Sequence, residues 1–546
     1  MPDFSAHIDT FARDNLPARG EWPDMPATLP ELQYPVRLNA GVELLDKMVA
    51  AGHASRPVIW FKHEVWSYRE LLEKANRIAR VLMEDFAVVP GTRVLLRAAN
   101  NPMLVACWFA VLKAGGIAVT TMPLLRAKEL IYILEKAQVK LALCDARLGD
   151  DLVAARERAP VCKDIVYFYS DASDGLDARM ARKSAELRNC DTARDDVALI
   201  AFTSGTTGLA KGTMHFHRDI MAISDCFARH VLKPSADDIF CGSPPLAFTF
   251  GLGALVIFPM RFGASSALTE KGSPDLLPQT IHDHQATIVF TAPTAYRFMA
   301  ETAKYEHLVS LKQGVSAGEH LPLATFEAWR RATGMKLIDG LGATELLHIF
   351  ISSAGADIRP GATGKAIAGY EARVVDDRGR TLPPGEVGRL AVRGPTGCRY
   401  LADLERQRKY VQNGWNLTGD AYKMDADGYF WYEARTDDMI ISAGYNISGP
   451  EVEGVLLEHP KVGECAVIGV SDVERGSIVK AFVVLRDPKD AGAATAKELQ
   501  DFVKAQIAPY KYPRAVEFVA ALPRTETGKL QRFKLRDQAQ TRAKVS

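Results

Sequence analysis

The sequence predicts an α/β protein: a large N-terminal lobe of layered α/β subdomains plus a β region, followed by a small C-terminal α+β domain. Three observations carry this. Short β-branched or apolar runs alternate with amphipathic stretches through much of the 546 residues, the pattern of strands and helices layered around substantially parallel sheet. From about Ala372 the texture changes to strand-like runs around a Pro-Gly turn. The final stretch, about 110 residues, carries its own helices and strands and is long enough for a separate domain.

In chain order, the strand-like runs are residues 58–61, 94–98, 117–121, 141–144, 165–168, 198–202 and 287–290. Each is short and apolar, as expected of strands buried within a sheet. Residues 68–85 and 127–137 are amphipathic, so helices are expected between the strands. The apolar stretch MLVACWFAVLKAGGIAVTTMPLL, residues 103–125, has Lys113 near its middle and is split by Gly115 and Gly116. A helix running into a buried strand is expected there, not a membrane span. The segment ARVVDDRGRTLPPGEVGRLAVRG, from Ala372, reads as two strands around a turn and begins an antiparallel region. Beyond it a helix is expected over 450–459, strands over 464–470 and 479–485, a helix over 496–508 and a strand over 515–518. Charged residues interrupt the strands near Thr436, which divides the chain into a domain of residues 1–435 and one of residues 436–546.

Composition excludes several classes. With 47% hydrophobic residues, 24% charged and a net charge of +1, the chain reads as a soluble globular protein with neither a nucleic-acid nor a membrane partner. The eight cysteines are scattered without CxxC pairs, which suggests neither a zinc site nor a disulfide framework and points to a reducing cytoplasm. The N-terminus MPDFSAHIDTFARDNLP is acidic early and lacks an apolar core, so no signal peptide is expected. The triplet HDH at 282–284 is expected to be a solvated helix end, not a metal site.

The stretch AFTSGTTGLAKGT, residues 201–213, combines hydroxyls, glycines and one lysine at the end of an apolar run. Hydroxyls donate, glycines let backbone N–H groups converge and lysine adds a point charge, which together make an anion cradle. The spacing is not that of a Walker A loop: Lys211 is followed by Gly212, and neither Gly364-Lys365 nor Gly528-Lys529 is followed by Ser or Thr.

The run Ser-Gly-Thr-Thr-Gly-x-x-Lys-Gly from Ser204 resembles the phosphate loop of the adenylate-forming superfamily, which comprises acyl-CoA synthetases, peptide-synthetase adenylation domains and luciferases. Further motifs follow in that superfamily's order: GLGATE at 340–345, TGD at 418–420, RTDDMIISAGYNI at 435–447 and LPRTETGKL at 522–530. The resemblance implies ATP, Mg²⁺ and coenzyme A as cofactors and substrates. It assigns Thr203, Ser204, Gly205, Thr206, Thr207, Gly208 and Lys211 to ATP, with the β- and γ-phosphates held by Ser204, Thr206, Thr207 and Lys211. Thr344 is implied to contact the α-phosphate, Glu345 to help hold Mg²⁺, Gly342 and Arg435 to reach the nucleotide, and Asp420 to bind the ribose hydroxyls. Lys529 matches the lysine that bridges carboxylate and phosphate during adenylation. Asp437 matches the hinge, and Gly444 and Arg475 lie where CoA is bound. Activating a carboxylate brings two anions together, so cations and donors must be concentrated at the site.

The segments GLGATELLHIF, SAGEHLP (316–322) and AFTFGLG (247–253) look most like benzoate-type ligases, and AFTFGLG with ISAGYNISGPEVE looks most like 2-aminobenzoate-CoA ligases. By that resemblance the acyl slot is lined by Phe250, Ala317, Gly318, Gly340, Gly342 and His348. Small residues leave room for a planar ring, and Phe250 can stack on it. Many benzoate ligases carry Tyr where Phe250 stands. An ortho amino group would need a polar partner, and Thr249, Ser316 and His348 are the candidates. CoA is the expected acceptor, with a separate carrier protein left open, and the resemblance admits a homodimer. An aliphatic acyl-CoA synthetase is the alternative; a non-catalytic nucleotide sensor is remoter, because sensing has no use for a transition-state cation such as Lys529.

Overall fold

The computed structural model describes residues 4–203, 210–435, 438–442, 445–472, 476–507, 509–525 and 530–545. Ser204, Gly205, Thr206, Thr207, Gly208, Thr436, Asp437, Gly444, Arg475 and Lys529 lie outside the described residues.

β1 (Pro57–Phe61) and β2 (Glu64–Ser67) form an antiparallel hairpin that leads into α1 (Tyr68–Arg80). The helix begins where Ser67 caps it: the Glu70 N–H donates to the Ser67 hydroxyl while the Glu70 carboxylate accepts from the Ser67 N–H. Two otherwise orphaned donors are thereby satisfied. Tyr68, Leu71, Ala75 and Ile78 recur at helical spacing on its buried face. β3 (Arg93–Arg97), α2 (Pro102–Lys113) and β4 (Ile117–Thr121) follow. Every residue of α2 and β4 is buried, and the one charge among them, Lys113, pairs with Asp46. The stretch 103–125 is thus a helix and a strand, joined by a turn in which Gly115 takes φ +75°.

After α3 (Ala127–Lys136) come β5 (Leu141–Asp145), β6 (Asp164–Phe168), β7 (Val197–Thr203) and β8 (Lys211–Phe216). They complete a six-stranded sheet in the order β6-β5-β3-β4-β7-β8, parallel up to the last strand, which returns antiparallel to β7. A second sheet adds β9 (Ile239–Gly242), β10 (Ser265–Ala267), β11 (Ile288–Thr291), β12 (Gln313–Ala317), β13 (Leu337–Gly342), β14 (Ile349–Ser352) and β15 (Lys365–Ala366). Its order is β15-β14-β13-β12-β11-β9-β10-β1-β2, parallel in the middle and antiparallel at both edges. Parallel strands lie buried between layers, which is why so many read as unbroken apolar runs.

The antiparallel region expected from Ala372 comprises β16 (Glu371–Val375), β17 (Val387–Arg393), β18 (Val411–Gln412), β19 (Trp415–Met424) and β20 (Phe430–Arg435), with α4 (Leu404–Tyr410) before β18. The C-terminal elements are α5 (Gly449–Glu458), β21 (Val462–Asp472), β22 (Gly476–Leu485), α6 (Ala493–Gln506), β23 (Ala515–Phe518) and α7 (Arg532–Val545). Val452, Leu456, Val467, Val479, Leu499 and Val503 give them a core of their own.

The structure departs from the sequence expectations in places. Both parallel sheets carry antiparallel edges, and β9, β10, β12 and β13 go beyond the strands read from apolar runs. β10 spans three residues and β12 reads QGVSA, so neither presents a long apolar signal. α7 was not expected either: its segment is strongly polar, and Leu535 is its deeply buried apolar anchor. Among the described residues no helix is long and apolar enough to cross a membrane. His282 is exposed near the end of the helix Leu277–His284, as expected of a solvated helix end.

Candidate active site

The β7–β8 hairpin, residues 399–401 and the turn that follows β13 meet through hydrogen bonds. In the β7–β8 hairpin Thr203 is the register partner of Lys211, so both flank residues 204–209. Lys211 Nζ lies 5.6 Å from the centroid of the Tyr400 ring. Residues 399–401 run along β8: the Met214 N–H donates to the Arg399 carbonyl and the Leu401 N–H to the Gly212 carbonyl, both at 2.8 Å.

β13 ends at Gly342, and the chain makes a tight turn over Thr344–Leu346 before Leu347, at φ +71°, reverses it into β14. This turn faces β8. His215 Nε2 donates to the Thr344 carbonyl at 2.8 Å, and the Tyr400 hydroxyl donates to Glu345 Oε1 at 2.5 Å. Glu345 is 9% exposed. Lys211, Thr344 and Glu345, far apart in sequence, are therefore brought together. The buried Arg399 stabilises this arrangement by pairing with Asp219, and its Nε donates to the Met214 carbonyl at 3.2 Å. Burial pushes the Asp219 carboxyl up, but Arg399 and His215 outweigh it and hold it below the usual carboxylate range.

Asp420 on β19 and Arg435 at the end of β20 are cross-strand partners. Arg435 Nη1 donates to Asp420 Oδ1 at 2.9 Å and to the Thr418 carbonyl at 3.3 Å. Gly419, at φ +76°, permits this approach, since a Cβ there would stand 2.9 Å from Arg435 Nη2. Asp420 is 7% exposed. The pair adjoins the first group: Tyr410, whose ring meets Tyr400 edge-on at 5.9 Å, has its phenol pKa raised by burial and by the charges of both Glu345 and Asp420.

The third group is apolar. His348, 3% exposed, precedes β14 and sits among Phe227, Phe250, Phe258 and Phe290 at ring-centroid distances of 5.9, 5.7, 4.5 and 6.5 Å. Its Nε2 donates to the Phe250 carbonyl at 3.2 Å. Because a carbonyl only accepts, Nε2 carries the proton, and Nδ1 is left as a buried acceptor without a hydrogen-bond partner among the described residues. Burial pushes the His348 pKa down to about 3, so the ring is neutral at pH 7.

Ala317 and Gly340 are neighbours across β12 and β13, and Gly318 follows at φ +91°. The glycines of β13 were expected to make room for a ring, but their missing side chains serve another contact. A Cβ on Gly340 would lie 2.5 Å from Ile349 Cδ1, and one on Gly342 would lie 2.8 Å from the His348 carbonyl oxygen. They admit β14 against β13. The glycine that admits the imidazole is Gly253, where a Cβ would fall 2.3 Å from His348 Cδ2. Of the polar candidates near the slot, Ser316 alternates onto the face opposite Ala317 and Phe290.

Sequence reasoning missed His215, Gly253, Phe258 and Tyr400. None lies within the motifs read for phosphate, ribose or lysine chemistry; each acts through a contact that only the fold creates. At the lysine loop, Arg524 Nη1 and the Leu530 N–H both donate to Glu319 Oε1 at 3.3 Å, so the ends of the segment that contains Lys529 dock one residue beyond Gly318.

The sequence matches the AMP-binding enzyme family over residues 47–400 and that family's C-terminal domain over residues 451–529. The chain belongs to the AMP-binding enzymes. It is 32% identical over 514 residues to benzoate–CoA ligase of Thauera aromatica, covering 93% of this chain and 98% of the relative. It is 33% identical over 530 residues to the mitochondrial acyl-coenzyme A synthetase ACSM3 of Mus musculus, covering 93% and 91%. The crystal structure of the anthranilate CoA ligase AuaEII in complex with anthranoyl-AMP superposes with a TM-score of 0.90 at 34% identity, covering 94% of this chain and all of that one. This AMP-binding enzyme is thus an adenylate-forming CoA ligase, for which ATP, CoA and a carboxylate are the consistent substrates. The acids in the relatives' names differ while the identities stay near one another, so the acid is argued from the pocket.

Proposed function

We propose that the chain activates an aromatic carboxylate of the benzoate or 2-aminobenzoate type to its acyl adenylate with release of pyrophosphate, then transfers the acyl group to CoA to give an aryl-CoA thioester and AMP. The observation that carries this reading is the neutral His348 ring, enclosed by four phenylalanines, whose Nδ1 is a buried acceptor lacking a partner among the described residues. Aromatic faces favour a planar ring. An amino or hydroxyl group on that ring can donate to Nδ1, which spares the site the cost of an unpaired buried acceptor, about 1–3 kcal/mol. The relatives named for benzoate and anthranilate support the same class.

In this reading Thr344, Lys211 and the loop Thr203–Gly208 orient the phosphates, while Asp420 and Arg435 hold the ribose and Gly342 lies along the nucleotide. Lys529 neutralises charge as a carboxylate oxygen attacks the α-phosphorus and pyrophosphate leaves; such a cation in a water-poor site contributes several kcal/mol. The thiol of CoA, bound by the small domain of residues 436–546 through Gly444 and Arg475, then attacks the acyl carbon and AMP leaves. Asp437 is the hinge between the two steps. Among the described residues no cluster of three or more His, Cys, Asp or Glu could hold a metal. Glu345 is instead a single hard oxygen ligand, which fits Mg²⁺, an ion that keeps phosphate oxygens and waters as its other ligands. Bound there, Mg²⁺ would offset phosphate charge.

The test is carboxylate-dependent exchange of pyrophosphate into ATP with benzoate, 2-aminobenzoate, hydroxybenzoates, hexanoate and octanoate. We expect the aryl acids to lead by at least tenfold in kcat/KM, on the order of the 1–3 kcal/mol a shaped pocket supplies. Preference for hexanoate or octanoate would establish the second reading, an aliphatic acyl-CoA synthetase; the relative ACSM3, named only as an acyl-coenzyme A synthetase, leaves the acid class open.

A further inference from the structure

The turn that carries Thr344 and Glu345 is held by side chains from a distant part of the chain. His215, on β8, holds the Thr344 carbonyl, and Tyr400, on the segment hydrogen-bonded to β8, holds the Glu345 carboxylate. We propose that Tyr400 is a positioning residue that fixes Glu345 Oε1 through its hydroxyl and so aims Oε2 at the divalent cation of the bound nucleotide. This rests on the reading of Glu345 as the metal ligand.

The geometry suits the task. Tyr400 is 1% exposed and cannot swing away. Its N–H donates to Gln407 Oε1 at 2.9 Å, its backbone pairs with Thr213, and the residues on either side of it are bonded to Met214 and Gly212. Its ring is flanked edge-on by Tyr410. Gln407 is in turn locked, its Nε2 donating to the Glu21 carbonyl at 2.8 Å and to the Cys398 carbonyl at 3.0 Å. A phenol held this firmly imposes one orientation on the carboxylate it bonds, because a carboxylate rotates freely about its last torsion unless an oxygen is held. Among the described residues no hydrogen bond reaches the other oxygen, Oε2.

Tyr400 also ties the carboxylate to the phosphate strand. Lys211 lies over its ring, and Lys211 begins the strand whose Thr213 pairs with Tyr400. A shift of β8 therefore moves the lysine and the carboxylate together, keeping the cation assigned to the phosphates in register with the group assigned to the metal. Partners that orient a metal ligand are worth about 10- to 100-fold in metal affinity or activity.

The experiment uses the whole enzyme saturated with ATP and without any acid, titrated with Mn²⁺ and read by electron paramagnetic resonance. Tyr400→Phe keeps the ring, its edge contact and the seat for Lys211, and removes the hydroxyl alone. We expect its Mn²⁺ dissociation constant to rise about tenfold, Glu345→Gln to rise at least as much, and the double variant to be no weaker than Glu345→Gln by itself. In pyrophosphate exchange, Tyr400→Phe should need more Mg²⁺ while the KM for the acid stays unchanged. Its unfolding midpoint, measured alongside, should stay within a few degrees of the wild type, which separates mispositioning from misfolding. Wild-type Mn²⁺ affinity in Tyr400→Phe with weakened affinity in Glu345→Gln would overturn the role of Tyr400 and leave the metal reading standing. Unchanged affinity in Glu345→Gln would overturn both, and additive losses in the double variant would show that Tyr400 does not act through Glu345.

Discussion

Around Glu345 the contacts are charged or strongly polar and come from segments far apart in the chain, whereas around His348 they are neutral rings at van der Waals distance. On the first side Arg399, Asp219, His215 and Tyr400 form links from β8 to the turn at 344–345. On the second side Phe227, Phe250, Phe258 and Phe290 enclose an imidazole whose charge is suppressed by burial. The contrast follows from what each side is proposed to hold. Phosphate and metal require donors, acceptors and charges at set positions, while an aryl group asks for shape. The charged side should therefore fail steeply and as a unit, and the apolar side should fail by misfit.

The largest effect is expected at the buried ion pair. Arg399 and Asp219 are both fully buried, and removing one partner of such a pair leaves an uncompensated charge at a cost of about 3–5 kcal/mol. Arg399→Met should lose stability on that scale in urea unfolding at pH 7, and adenylation should fall with it because β8 carries both Lys211 and His215. Combining it with Asp219→Asn removes both charges and should recover more than half of the lost stability. No recovery would mean that Arg399 acts through its bonds to Met214 rather than through charge. Because the Asp219 pKa is lowered in the folded protein, the carboxylate's contribution is present above its unfolded pKa, near 4, and is lost only as pH falls through the still lower folded value. The wild type should keep it from pH 8 down to pH 5.

A smaller effect, confined to the acyl side, is expected from Gly253→Ala. The added Cβ would fall 2.3 Å from His348 Cδ2, so the imidazole or the helix must move, at about 1–3 kcal/mol for overpacking a core. The expected outcome is a 10- to 100-fold loss of kcat/KM for the aryl acid, with the affinity for ATP unchanged in a binding titration. A comparable loss of ATP affinity would show that the two sides are mechanically one unit.

The same contrast explains what could be read in the sequence. The anion cradle at 201–213 was read from its hydroxyls, glycines and lysine, GLGATE and TGD from their resemblance to the family's motifs, and strands such as 117–121 and 515–518 were legible as apolar runs. Tyr400 was not legible: its role depends on residues 399–401 lying along β8, a pairing across nearly two hundred positions that no local pattern encodes. Gly340 and Gly342 were read as room for substrate, yet their space is taken by β14; a glycine records that something comes close, not what it is. Of the rings around His348 the sequence reading singled out Phe250, whereas Phe258 and Phe227 reach the imidazole from helical segments whose apolar residues look like ordinary core. A shape of this kind can be produced by many residue sets, which fits relatives of similar identity of which one is named for benzoate and another only as an acyl-coenzyme A synthetase.

The smallest effect tests the neutrality of the acyl side. His348 titrates near 6.5 when unfolded and is pushed down to about 3 by burial in the folded protein. Between those values the unfolded chain binds a proton that the folded pocket refuses, so stability falls as pH falls through this window, by about 1.4 kcal/mol per pH unit once well below pH 6.5. His348→Gln cannot take up that proton, so the stability difference between wild type and variant should move in the variant's favour from pH 7 to pH 5, read by urea unfolding at each pH. Above pH 7 neither protein titrates at this position, and the difference should be flat to pH 9. The ratio of kcat/KM for 2-aminobenzoate to that for benzoate should likewise be flat from pH 6 to pH 9, since a neutral acceptor holds the amino group throughout. Parallel stability curves below pH 6.5 would mean that the imidazole is charged or solvated in the folded protein, and the acyl side would then no longer be the neutral counterpart of the charged one.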